Sequence, residues 1–276
     1  VDVVLETRGG SVNPRGQSRS VRLSGLASHR LLPSVSGPFI LLSVWFFVNA
    51  NGLVTGKLLP GPAATLEATV AALWSSGLAL DLARTISRTL QAFAIAGAVG
   101  IPLGIAIGSN QRLYRSIEFL VDFFRSTPAT ALFPLFMIIF GLGDFSKVAV
   151  AAFSSLLIIF FNVAYGVMNA RPTRMLAARM MGASRLRVLR DITFKESLPQ
   201  TFVGLRTAVS LALVVIIVAE MFIGSDDGLG KRIIDAQITF DMPLLYGTIL
   251  LTGALGYGFN LFFLSIEKHL VHWAGR

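Results

Sequence analysis

Residues 148–170 contain no Asp, Glu, Lys or Arg, and an uncharged run of that length restricts a chain to very few folds. A helix crossing the ~30 Å hydrocarbon core of a bilayer needs about 20 mostly apolar residues at about 1.5 Å each. In water the same run would leave a long helix with no polar face. The remainder of the sequence agrees: 54% of the residues are apolar and 14% charged, whereas soluble domains are roughly a quarter charged. The charges gather in patches between apolar runs. In lipid every backbone polar group must be satisfied internally, so the pattern predicts an all-α membrane protein.

Counting between charges predicts about six transmembrane helices, within 31–56, 89–111, 126–143, 148–170, 207–225 and 242–266. The third is short and proline-bearing. The segment 63–80 is also apolar, but Glu67 interrupts it, and a seventh crossing would move the arginine-rich stretch after residue 170 to the outside. An amphipathic helix lying at the outer surface is expected there instead.

Lys and Arg mark cytoplasmic loops, and an N-terminus inside the cell gives a lopsided distribution. Five lie in the tail, three between spans two and three, eight between spans four and five, and two at the C-terminus, 18 of the 24 in the chain. Lys57, Arg84, Arg88, Lys147, Lys231 and Arg232 face out. Both termini are then cytoplasmic. Residues 1–33, polar, rich in Gly and Ser and bearing arginines, form a flexible basic tail before a transmembrane domain over 34–276. The formal net charge of +9 needs no nucleic acid, because the arginines sit at the ends of apolar runs where topology and anionic lipid account for them. The chain has no cysteine, which removes disulfide, thiol and Cys-ligated metal chemistry. His29, His269 and His272 lie in tail segments, and the last two, near Trp273, suit a membrane interface better than a metal site.

Gly100, Gly104 and Gly108 share one face of the second span, where a neighbouring backbone can approach closely; ordinary helix packing explains them, and Pro102 predicts a kink. Glu220 is the one carboxylate well inside an apolar stretch. A buried ionisable group there must be paired or watered, so it faces protein or a water-filled path. It is either a gate or lining residue of a translocation path, with Ser210 of the same span, or a helix-end glutamate bonded to nearby backbone. A phosphate-binding loop needs Gly-x4-Gly-Lys-[Ser/Thr]. The nearest approach, Gly230-Lys231, is followed by Arg232 and has Ser225 where the first glycine belongs.

The long basic segment 171–199 is the most informative. Leu176, Met180 and Met181 share a helix face with Ala177 near its edge, and Gly182-Ala183-Ser184 permits a turn into a second helix carrying Leu186, Leu189 and Ile192. Such a unit is either a knob for another protein's groove or a helix pair lying on headgroups.

Here the residues resemble a known family. Ala177-Ala178, Gly182 and Ile192, at that spacing, are similar to the EAA loop of binding-protein-dependent ABC importer permeases. Gly182-Ala183-Ser184-Arg185, Leu198-Pro199, Gly204-Leu205-Arg206, Ile101-Pro102-Leu103-Gly104, Phe140-Gly141-Leu142-Gly143 with Ser146-Lys147, Ala219-Glu220, and Gly228-Leu229-Gly230 with Ala236-Gln237 resemble its nitrate/sulfonate/taurine/bicarbonate branch. The matches run from about Leu58 to Trp273. Two positions depart from the pattern: Leu176 stands where a glutamate often opens the loop, and Lys195 where a proline is common.

The resemblance implies an ABC importer type I permease fold working as a dimer with a second permease subunit, homomeric or related. It implies a path at the subunit interface, a periplasmic or lipid-anchored substrate-binding protein, and two ATPase subunits on the cytoplasmic side. These would dock on the coupling loop at Leu176, Ala177, Ala178, Met181, Gly182, Ala183, Ser184 and Arg185. The chain itself would be no enzyme and hold no cofactor or metal; ATP and Mg would be bound by the ATPase subunits. The solute implied is a small oxyanion, nitrate, bicarbonate, a sulfonate or taurine, and the location is a bacterial inner membrane. A secondary transporter or channel is the competing reading, but it would carry coupling residues at midplane and often inverted repeats. A membrane-embedded enzyme would cluster His, Asp or Glu at membrane depth, where only Glu220 stands.

Overall fold

The computed structural model describes residues 32–75 and 77–271. The tail expected over 1–33 falls almost wholly outside these, as do His29, His272 and Trp273. The described residues form eleven α-helices and no strand: α1 Leu32–Ala50, α2 Pro62–Ser75, α3 Leu78–Gly108, α4 Gln111–Ser126, α5 Phe133–Phe140, α6 Asp144–Met168, α7 Pro172–Met180, α8 Arg185–Val188, α9 Phe194–Phe222, α10 Leu229–Ile238 and α11 Met242–Leu270. A 3-10 turn, Ala129–Leu132, precedes α5, and a π-turn, Leu189–Thr193, joins α8 to α9.

Four of the predicted spans are continuous helices long and apolar enough to cross a membrane: α3, α6, the α8–α9 rod and α11. The third is not a straight rod. α4 and the apolar segment Ala129–Phe140 meet at 92°, a broken span or a re-entrant loop. Pro128 sits at the break and pushes Thr127 into an extended conformation. The first predicted span appears as the shorter apolar helix α1.

Two span starts differ from expectation. The second span begins at Leu78 and not near residue 89, and the helix of the fifth begins at Phe194 and not near residue 207. At 31 residues α3 is about 46 Å long, longer than a hydrocarbon core, so its polar first turns need not sit in hydrocarbon. Helix α2 forms within the segment expected to lie at the outer surface, yet it buries Thr65, Thr69 and Ala72. A Cβ on Gly247 of α11 would stand 3.1 Å from Thr69 Cβ and 3.2 Å from the Thr65 carbonyl oxygen, so α2 is clamped on α11 by a polar, small-residue face.

The core is three helices, α3, α6 and α9. Ala92, Val148, Val150, Ala151, Ala212, Val215 and Ile216 fill one half, and Ala96, Ile159, Val163, Val167 and Ala208 the other. Small residues bring the rods close. Cβ atoms placed on Gly100, Gly104 and Gly108 would come within 3.3, 2.9 and 2.7 Å of the carbonyl oxygens of Leu156, Phe160 and Ala164 on α6. On the other flank of α6, Gly166 faces Ser197 and Gly204 faces Asn162, while Gln200 Nε2 donates to Asn162 Oδ1 at 2.8 Å. Lipid tails supply no hydrophobic drive between helices, and close backbone packing with buried hydrogen bonds replaces it. The bundle thus has two polar ends: α7 and α8 at one, α10 and the loop before it at the other.

Candidate functional site

The hairpin of α7 and α8 owes its shape to its sequence. Pro172 occupies the first turn of α7, where a missing N–H costs nothing. Glu196, from α9, accepts from the Arg171 backbone N–H at 2.6 Å and pairs with Arg174 at 2.8 Å, fixing the start of α7. At its end Gly182 N–H donates to the Arg179 carbonyl and Ala183 N–H to the Ala178 carbonyl, both at 3.0 Å, with Gly182 at φ +84°. That is the paired bonding of a Schellman stop, which favours glycine. Ser184 Oγ then accepts from Arg187 N–H and caps α8.

This geometry turns Ala178 inward and leaves Leu176, Met180, Met181 and Leu186 bare, 61–82% exposed. Ala177, Gly182, Ser184 and Arg185 are also exposed, and Ala183 is half-buried. Four bare large apolar side chains on one short hairpin are the kind of surface that marks a contact site.

The opposite end holds a cluster that charge counting did not reveal. Arg88, only 4% exposed, donates from Nη1 to Glu220 Oε1 at 2.8 Å and to the Asp227 carbonyl at 3.0 Å. From Nη2 it pairs with Asp144 at 2.8 Å and with the Asp227 carboxylate. Lys147, also buried, donates to Asp144 at 3.2 Å and to Ser225 Oγ at 2.9 Å. Arg84 reaches Asp227 at 3.4 Å. Three cations face three carboxylates, so the cluster carries no net charge, and mutual pairing is the condition under which buried charges persist.

The same cluster starts α10. Gly228, Leu229 and Gly230 present three backbone N–H groups that lack helical acceptors. Asp81 Oδ1, Thr85 Oγ1 and Glu220 Oε2 accept them at 2.9, 2.9 and 3.0 Å. Asp81 also pairs with Arg232 at 2.6 Å. Gly228 has φ +116°, and a Cβ there would collide with the Glu220 carboxyl group. The Gly228-Leu229-Gly230 motif is a close approach to Glu220 that only glycine allows.

Glu220, 1% exposed, therefore faces protein. It lies ten positions beyond Ser210 on α9, about 15 Å along the axis, so the structure does not bring the two together. Ser210 is half-buried and donates to the Arg206 carbonyl of its own helix at 3.2 Å. From sequence, Arg88 and Lys147 stand only as outward-facing cations, Lys147 also within a motif of the resemblance, and Asp81, Thr85 and Asp144 carry no reading. A signal existed: Asp81, Thr85, Arg88 and Thr89 recur at helical spacing and are all buried on one face of α3. No group of three or more His, Cys, Asp or Glu among the described residues is arranged to hold a metal ion. The paired charges of the cluster tie α3, α6, α9 and the loop before α10 together.

Comparison with known proteins bears on these two polar ends. Residues 100–275 match the family described as the binding-protein-dependent transport system inner membrane component. A probable ABC transporter permease protein of Brucella abortus is 29% identical over 257 residues, covering 93% of this chain and 99% of its own length. The taurine transport system permease protein TauC of Escherichia coli is 26% identical over 96% of this chain and 98% of its own. The bicarbonate transport system permease protein CmpB of Synechococcus elongatus is likewise 26% identical, over 96% and 97%. Among solved structures, a chain of the MetNI methionine ABC transporter in an inward-facing conformation superposes with a TM-score of 0.61 at 18% identity, covering 75% of this chain and 97% of that one. That likeness carries the fold, and the family match spans well over half the sequence. The chain belongs to the binding-protein-dependent transport system inner membrane components, the permease subunits of ABC importers.

Proposed function

We propose that this permease forms, with a second permease subunit, the membrane path of an ATP-driven importer for a small oxyanion of the nitrate, bicarbonate, sulfonate or taurine class. Two ATPase subunits grip α7 and α8 and a substrate-binding protein delivers solute at the α10 end. The observation that carries the reading is the bare apolar patch of Leu176, Met180, Met181 and Leu186 on a hairpin that Glu196 ties to the spanning helix α9. A knob held this way passes a push from a partner into the bundle core. ATP and Mg belong to the partner.

The Lys and Arg asymmetry supports a cytoplasmic α7–α8 end and an inner-membrane location with both termini inside. The last turns of α11 share that end, with Glu267 3.7 Å from Arg206. The oxyanion class is supported by the names of the taurine and bicarbonate relatives.

Met181→Asp tests the docking. The side chain is 81% exposed, so the permease should fold as before while the ATPase subunits no longer co-purify and uptake stops. Undiminished co-purification and transport would refute the docking surface.

A further inference from the structure

Helix α4 carries a feature that lipid cannot accommodate. Arg115, Glu118, Asp122 and Arg125 fall on one stripe at helical spacing, all exposed, while Phe119, Leu120 and Phe123 cover another face. The helix starts beside the end of α3, on the α7–α8 side, where Asn110 caps it, and stops at Ser126. That stop lies about halfway along the length of the bundle, on an exposed flank. A cavity of about 240 Å³ at the break is lined by Arg125, Ser126, Thr127, Pro128, Ser154 and Leu211. Ser154 falls near the midpoint of the 25-residue α6. The Arg125 guanidinium lies 4.4 Å above the ring of Phe161, also on α6.

An arginine at membrane depth is among the costliest residues to leave in hydrocarbon, and such groups face water-filled cavities or partners. Among the described residues Arg125 pairs with one carboxylate, Asp122, at 3.8 Å, with both side chains about half exposed. A long, wet ion pair of this kind is weakly held, so the guanidinium is free to change partner. Phe161 keeps it in place by a cation–π contact without using its N–H donors. Glu118 and Asp122 repel an anion that lingers on the stripe, so the attraction is concentrated at Arg125.

We propose that Arg125, presented at the α4–α5 break, is the residue that takes hold of the transported solute's anionic group midway across the membrane. It exchanges Asp122 for the solute and takes Asp122 back as the solute leaves toward the α7–α8 end. A planar guanidinium suits a singly charged oxyanion, which it can hold through two parallel N–H donors. This assignment rests on the importer reading and names the specificity residue within it.

The test uses the complete importer in proteoliposomes. ATP-dependent uptake by the unsubstituted complex tests the importer reading separately, and variants are compared only within that activity. Arg125→Gln should lower uptake ~10-fold or more, as expected for losing one charge-assisted partner, with Arg125→Lys recovering part. Asp122→Asn should keep or raise uptake. Wild-type uptake by R125Q, or a loss in D122N as large as in R125Q, would overturn the assignment by making the pair ornamental or merely structural. If R125Q does not assemble, phenylglyoxal labelling of Arg125 in the unsubstituted complex decides. Protection by nitrate, bicarbonate or methanesulfonate supports the proposal, and equal labelling in all three defeats it.

Discussion

Arg88 and Glu220 stand 132 positions apart in the chain and meet at 2.8 Å, joining α3 to α9 in a contact shielded from solvent. Around them Asp144, Asp227, Lys147 and Arg84 complete a set of equal and opposite charges. Every member leans on another, and that interdependence is measurable.

Removing one partner of a buried pair strands the other charge and costs about 3–5 kcal/mol. Glu220→Gln and Arg88→Met should each lower stability on that scale. The double variant should be less damaged than the two losses added together, by about 0.5–3 kcal/mol. Chemical unfolding of the purified protein in detergent reads the cycle, and strict additivity would mean the two residues do not act as a pair.

The α3–α6 contact makes a second prediction. A Cβ at Gly104 would lie 2.7 Å from Val163 Cβ and 2.9 Å from the Phe160 carbonyl oxygen. Gly104→Val overpacks this crossing and should cost about 1–3 kcal/mol, partly recovered by adding Val163→Ala. Gly253→Ala, where nothing lies within 4 Å, should stay within about 0.5 kcal/mol of wild type. Equal melting temperatures for G104V and G253A would show that the helices do not pack as described.

Gly182 separates backbone conformation from bulk. Nothing lies within 4 Å of its missing side chain, and its φ is +84°, so size alone is tolerated there while handedness is not. Gly182→Val should cost about 1–2 kcal/mol and loosen the hairpin, whereas Gly182→Asn, which visits the left-handed region more readily, should cost less. Amide hydrogen exchange at Ala183 and Arg187 should rise in G182V and stay slow in G182N. Similar exchange in both variants would remove the backbone argument.

Much of the bundle was legible because lipid imposes a simple rule. Charge-free runs at 148–170 and 242–266 had to become α6 and α11, and Pro172, Gly182 and Ser184 carry the start, turn and cap of the α7–α8 hairpin in their own chemistry. The ionic cluster was not legible because the same rule works by avoiding charge. Arg88 was counted as an outward-facing loop cation, and nothing local to it reveals a partner 132 residues away. Asp81, Thr85 and Arg88 do fall at helical spacing, but their charges lie ahead of the apolar run and by that rule mark a loop. Arg125 was assigned to a loop for the same reason, and the 92° break depends on how α4 meets α6 beyond what Pro128 declares.

Helix α10 has no capping residue of its own at its start. Its first amides take their oxygens from Asp81 and Thr85 of one long rod and Glu220 of another. Slippage between those rods would deprive several donors of acceptors in a single event, so this rim of the molecule should yield all at once, like a clasp, and have no half-open resting position.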